Sequence, residues 1–277
     1  MQKIVIAGGT GLVGQALIPV LKAAGYDAVA LRRPYTADAL FGATAIINLA
    51  GENLSAGRWT AERKRKIINS RVGTLDTLRG VLPDYNKTIT TMISASAVGY
   101  YGSTTSGHIY SEDDPSGDDF LAGVCREWES AADSFEPLGI RVAKVRIGVV
   151  FSEKGGALPK LMMPLKFGVS LPLGSGNQWI PWIGIDDLAH IFLHLLQHPG
   201  LSGPFNAVAP NPVTNRQLMK QLAVQKHRLF VPIGVPAFLL KAMLGEMAVV
   251  TLEGSRVSPE KLIRSGFEFR NPELTFR

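Results

Sequence analysis

Ile4-Val5-Ile6-Ala7-Gly8-Gly9-Thr10-Gly11-Leu12-Val13-Gly14 decides how the rest of the chain is read. Its apolar, β-branched opening has the composition of a strand buried on both faces of a parallel sheet. Glycines follow at 8, 11 and 14, and an amphipathic helix pattern then runs from Leu12 to Ala24. Gly8 can take the torsions of the turn. Gly11 leaves the backbone open to a pyrophosphate, and Gly14 lets helix and strand pack closely. The amides at the start of the helix would face the phosphates, which brings Gly9, Thr10, Leu12 and Val13 into the candidate binding turn. A glycine triplet alone is a weak signal; directly between an opening strand and a helix it is a dinucleotide-binding signal.

Working outward, 277 residues of balanced composition support a large core. The expected fold class is α/β, a Rossmann-type doubly wound parallel sheet. Residues 1–150 are expected to form the nucleotide-binding part, and residues 151–277 mainly a smaller C-terminal α/β lobe. The net charge of +6 suits an anionic ligand. The one basic run, Arg63-Lys64-Arg65-Lys66, falls in a helix pattern and reads as a solvated face, so nucleic acid is not expected. Cys125 is the only cysteine and cannot form an intrachain disulfide, which fits a reducing, cytoplasmic setting. The first strand begins at residue 3, where a signal peptide would need to be. The apolar stretch Val231 to Val250 is broken by Pro232, Pro236, Lys241 and Glu246, so no membrane span is expected.

Asp27 to Leu31 reads as the second strand, followed by Arg32-Arg33-Pro34. In a dinucleotide fold this strand end faces the adenosine ribose. An acidic residue there binds both hydroxyls, whereas an arginine accommodates a 2′-phosphate. No Asp or Glu lies between Ala28 and Ala37, so NADP(H) is preferred over NAD(H). Arg32 is the first candidate and Arg33 the second; the alternative is two solvated arginines.

Ala45 to Gly51 is the third strand, with Leu49, Ala50 and Gly51 as a small-residue exit and Asn48 as a candidate structural hydrogen-bonding residue. Thr88 to Ser94 is the fourth strand, leading into Ser94-Ala95-Ser96-Ala97-Val98-Gly99-Tyr100-Tyr101-Gly102. Asp118-Asp119 precede the pattern Phe120, Leu121, Val124, Trp128, a helix start. Arg141 to Val150 is the fifth strand. Asp186 and Asp187 read as the N-cap and first turn of a later helix. His190, His194 and His198 form a stripe on it, but no acidic or cysteine ligand joins them at zinc spacing, so no metal is expected.

These motifs together resemble the extended short-chain dehydrogenase/reductase superfamily. Gly-Arg-Trp-Thr at 57–60, Ser-Ala-Val-Gly-Tyr-Tyr-Gly at 96–102, Cys-Arg-Glu-Trp-Glu at 125–129, Gly-Gly-Ala-Leu-Pro-Lys at 155–160 and the tail Ser-Arg-Val-Ser-Pro-Glu-Lys-Leu at 255–262 are similar to its atypical epimerase branch. The loop Gly174-Ser175-Gly176-Asn177-Gln178 resembles that of sugar-nucleotide epimerases and implies a substrate role for Gln178. The resemblance also implies that Glu52, Arg71, Ser94, Ala95, Cys125 and Arg146 join the cofactor site, and that a serine of the fourth-strand exit bonds the reacting oxygen. Ser96 is the first candidate and Ser94 the second. The superfamily's Tyr-x-x-x-Lys falls here on Leu121 and Cys125, which can neither transfer that proton nor supply the fixed charge. Tyr100 or Tyr101 is the expected replacement. Homodimerisation is a further expectation from the superfamily.

Two functions follow as expectations. One is an NADP(H)-dependent, epimerase-like oxidoreductase acting on a sugar-nucleotide-like or other small carbonyl or alcohol. The other is an NADP(H)-binding redox sensor without turnover, favoured by the missing tyrosine and lysine.

Overall fold

The computed structural model describes residues 1–82 and 88–276. Six parallel strands form the central sheet: β1 (Lys3–Ala7), β2 (Asp27–Ala30), β3 (Ala43–Asn48), β4 (Thr91–Ala97), β5 (Arg141–Ile147) and β6 (Gly203–Ala207). Their order is β2-β1-β3-β4-β5-β6. The winding reverses between β1 and β3, and ligands of such sheets bind in the crevice at that reversal, beyond the strand ends.

Parallel pairing explains the strand composition. With helices on both faces the inner strands bury both sets of side chains, and Ile4, Val5, Ile6, Ile46, Ile47, Met92 and Ile93 are all fully enclosed. Each such side chain contributes roughly 1.5–3 kcal/mol relative to exposure. On one face α1 (Leu12–Ala23) packs against α4 (Ile185–Gln197). On the other, α2 (Ala61–Gly80) lies beside α3 (Phe120–Asp133). Thr60 and Asp119 cap these last two helices, their side chains accepting from the amides of Arg63 and Ala122.

β4 runs further than its sequence suggests. Pairing with β5 continues through Ser94↔Lys144 and Ser96↔Arg146 to Ala97↔Ile147, so both serines lie inside the strand. Asp186 and Asp187 both lie in the first turn of α4, as expected, but the N-cap is Gly184 and Asp187 has a further partner. It is fully buried, and its carboxylate accepts from the amides of Arg270 (2.8 Å) and Asn271 (3.0 Å), fastening the C-terminal tail. His194 hydrogen-bonds to Ser265 through Nε2 (2.9 Å).

A smaller cluster around Phe151, Trp182, Leu218, Met219 and Leu222 joins α5 (Asn215–Gln225) to the short strand Trp182–Gly184. Beyond α6 (Ala237–Leu244) the chain returns to the main body: Arg256–Val257 pairs with Ile109–Tyr110, and Leu262 and Phe267 enter the principal core. No described helix is long and apolar enough to cross a membrane.

Candidate functional site

The turn after β1 is built to exclude side chains. Gly8 has φ +76°, and a Cβ there would lie 2.7 Å from the backbone of Leu49 and Ala50. A Cβ on Gly14 would lie 2.5 Å from the backbone of Gly9, so only glycine lets α1 sit this close. The Gly11 amide donates to Gly8 O at 3.0 Å and closes the turn. Thr10 is exposed. No side chain caps α1, and its first turn, starting at Leu12 and Val13, holds no acidic residue. This is an open helix N-terminus at the sheet's reversal point, and it fits a pyrophosphate.

From the turn the crevice can be followed residue by residue. Gly8 abuts Leu49 and Ala50, and a Cβ on the next residue, Gly51, would lie 3.2 Å from the Arg71 guanidinium. Arg71 rises from α2 and is 8% exposed. It donates to Ile67 O (2.9 Å) and Glu52 O (3.2 Å), and lies 5.0 Å from the Trp128 ring centre. It has no carboxylate within ion-pair distance among the described residues. Burial pushes its pKa down; the Cys125 thiol and the Glu52 carboxylate oppose that only in part. The Glu52 side chain points outward, bonds Arg63 at 2.7 Å, and is held below the usual carboxylate range by that bond.

Arg71 leads into a cleft of about 210 Å³. Ala97, Val98, Gly99, Leu121, Cys125 and Trp128 line its inner wall, so the two positions that carry tyrosine and lysine in the superfamily do face it. Burial pushes the Cys125 thiol up to about 12. Trp179, Ile180, Pro181, Val250, Glu253, Gly254 and Ser255 form the outer wall. The Trp128 Nε1 is buried with no hydrogen-bond partner.

Other sequence candidates lie elsewhere. Arg32 and Arg33 are exposed at the β2 exit. Arg33, Pro34 and Tyr35 edge a second depression shared with Asn69, Ser70, Gly73 and Thr74 of α2. Ser94 is buried, accepting from Asn48 Nδ2 (3.2 Å) and donating to Ala95 O (3.1 Å), and Ala95 is also interior. Neither serine lines the cleft.

Ser96 instead belongs to a buried ionic cluster behind it. Its hydroxyl donates to Glu129 Oε1 at 2.7 Å. Arg146 engages the same carboxylate through Nε (2.8 Å) and Nη2 (3.0 Å). Arg146 is 3% exposed. Burial disfavours its charge, but the Glu129 pair overcomes that and holds it protonated. Its guanidinium stacks on the Tyr100 ring at 3.5 Å and donates to the Tyr101 hydroxyl at 3.0 Å. Tyr101 in turn donates to Asn206 Oδ1 at 2.7 Å, and burial pushes its phenol up to about 12.

The structure places the two candidate proton-transferring tyrosines away from the cleft: Tyr101 has its hydroxyl engaged by Arg146 and Asn206, Tyr100 lies against Arg146, and neither borders the cleft. Gln178 does not border the cleft either. It is fully buried, and its amide donates to Leu173 O (2.9 Å) and Thr251 O (2.6 Å), which ties its loop to the C-terminal segment. Glu253, missed from sequence, is the only acidic residue bordering the cleft among the described residues. Its signal is one acidic residue at the end of the apolar run Met247 to Leu252.

Comparison with known proteins agrees with this architecture. Residues 4–207 match the model of the NAD dependent epimerase/dehydratase family, and residues 235–275 match a domain of unknown function, DUF1731. Epimerase family protein YfhF of Bacillus subtilis is 35% identical, over 99% of this chain and 95% of its own. The crystal structure of human epimerase family protein SDR39U1 (isoform 2), solved with NADPH, superposes with a TM-score of 0.89 at 31% identity, covering 98% of this chain and 96% of that one. A nucleoside-diphosphate sugar epimerase from Corynebacterium glutamicum gives 0.80 at 35% identity, and this chain covers 56% of its length. The chain belongs to the NAD dependent epimerase/dehydratase family.

Proposed function

We propose that the protein is an NADP(H)-dependent oxidoreductase acting on a small carbonyl or alcohol compound. The observation that carries this reading is the continuous path from the glycine turn, past Ala50 and Gly51, to the unpaired Arg71 guanidinium and into the cleft. The bound nicotinamide would supply hydride chemistry there. The chain's own residues bind and orient. The amides of Leu12 and Val13 would hold the pyrophosphate, and Ala50 and Gly51 would admit the nucleotide close to the main chain. Arg32, with Arg33 beside it, would take the 2′-phosphate. Arg71 would hold an anionic or hydroxyl group where the superfamily's lysine otherwise serves. The apolar wall of Leu121, Val124 and Trp128 would exclude water.

The human relative solved with NADPH supports a phosphorylated nucleotide. NADPH and NADH titrations followed by cofactor fluorescence test the preference. NADPH should bind more tightly, and Arg32→Asp should reverse the order. Equal affinities in the unaltered protein would remove the arginine argument. Turnover is tested by NADPH consumption across a panel of carbonyl compounds. The engaged tyrosines favour the sensor reading as second choice, and NADPH binding without consumption by any compound would support it.

A further inference from the structure

The C-terminal segment occupies the loop that a sugar nucleotide would be expected to use. Gly174 N donates to Val235 O (2.9 Å), and Val235 N donates back to Pro172 O (2.8 Å). A Cβ on Gly254 would lie 1.9 Å from Trp179 O, so the two segments touch backbone to backbone. Gln178 spends its donors on this junction. The loop is therefore a docking surface for the chain's own tail.

What remains open is small and apolar. About 210 Å³, which the cofactor's nicotinamide end would share, falls below the ~300–1,000 Å³ of sites for drug-sized ligands. Its charged wall groups are Arg71, on the nucleotide side, and Glu253, on the tail side. Glu253 Oε2 accepts from Thr105 Oγ1 at 2.5 Å. No cation lies within ion-pair distance of the carboxylate among the described residues, so Oε1 is free to receive a donor. The same residue also borders a neighbouring depression whose charged lining is Lys241, Glu246 and Glu253. A diphosphate reaching from the cleft into it would meet like charge at Glu253.

We propose that the cleft takes a small, largely apolar compound bearing an ammonium group, that Glu253 binds this group, and that nucleoside diphosphate sugars are not its ligands. This rests on the cofactor reading above, because Arg71 must be engaged by the nucleotide for Glu253 to set the charge preference.

The test is ligand binding to the full chain saturated with NADP+, read from quenching of tryptophan fluorescence, since Trp128 and Trp179 line the cleft. Benzylamine, benzyl alcohol and benzoate share one apolar body and differ in charge. Benzylamine should bind about tenfold or more tightly than benzoate, with the alcohol between them. Glu253→Gln should bring the three within about twofold of each other, and UDP-glucose should not quench. Benzoate binding as well as benzylamine, selectivity surviving in Glu253→Gln, or saturable quenching by UDP-glucose would each overturn the proposal. NADPH affinity is measured first on each protein. Its absence in the unaltered chain refutes the cofactor reading itself, whereas its presence without charge selectivity refutes only the role of Glu253.

Discussion

Replacing Glu129 by Gln isolates the charge of the buried cluster without changing its shape. In the native protein the carboxylate receives Arg146 at 2.8 and 3.0 Å and Ser96 at 2.7 Å, and Arg146 is 3% exposed. The amide keeps one acceptor oxygen but no charge, and leaves the buried guanidinium with the Tyr100 face, the Tyr101 oxygen and the Glu112 carbonyl to offset its lost hydration. Breaking a buried pair from one side costs about 3–5 kcal/mol. That is a large share of the ~5–15 kcal/mol that holds a typical protein folded. At roughly 2–4 °C per kcal/mol for chains of similar size, Tm should fall by about 6–20 °C. Urea unfolding gives the free energy, and a thermal melt gives Tm. The double variant Glu129→Leu/Arg146→Met removes both charges and should lose less than Glu129→Gln alone, because desolvation is then no longer uncompensated. A cost below about 1 kcal/mol for Glu129→Gln, or a double variant worse than the single, would refute the view of this cluster as a coupled buried pair.

Arg71→Met should weaken NADPH binding by about tenfold or more while leaving Tm unchanged or raised, since the folded chain buries that guanidinium without a carboxylate; a cofactor titration and a melt decide it. Gly14→Ala places a Cβ 2.5 Å from the Gly9 backbone, which cannot yield without moving α1, so urea unfolding should show a loss of at least ~1–3 kcal/mol together with weakened NADPH binding. The Cys125 thiol is raised from an ordinary value near 9 to about 12. The unfolded chain therefore ionises first as pH rises, and stability conferred by the neutral thiol is complete below pH ~9 and lost between pH ~9 and 12, at up to about 1.4 kcal/mol per pH unit. Cys125→Ala should show a shallower alkaline decline in urea unfolding than the unaltered protein.

The parallel sheet was legible because two-sided burial leaves a local mark: Ile4-Val5-Ile6 and Ala45-Ile46-Ile47 are unbroken apolar runs. The end of β4 was less so. Ser-Ala-Ser-Ala looks like a strand exit, and what keeps it in the sheet is distant: Ser94 faces Asn48, and Ser96 faces Glu129. The same holds for the tyrosines. Nothing near Tyr101 tells that Asn206, 105 positions on, takes its hydroxyl. Arg71 carried a local signal, falling four residues from both Ile67 and Leu75 on the apolar face of α2, where a charge has no packing reason to be.

Gln178 and Glu253 show why the substrate side resists reading from motifs. The loop Gly174 to Gln178 is spelled as in sugar-nucleotide epimerases, but a loop motif specifies a backbone shape and not its occupant. Here Thr251 receives the Gln178 amide and Val235 receives the Gly174 amide, so the surface offered by the motif is covered by residues that lie 73 and 61 positions further along the chain. The tail that covers the loop also places Glu253 against the cleft. One packing event thus closes a nucleotide-sized surface and adds a carboxylate to an apolar wall. The nucleotide crevice of β1 and β3 needs no part of that tail, because its glycines and Arg71 are set by the sheet and α2. On the reading proposed here, cofactor recognition rests on the sheet and α2 and substrate charge preference on Glu253, so substitutions in residues 235–275 should alter ligand selectivity while leaving NADPH affinity, read by cofactor fluorescence, unchanged.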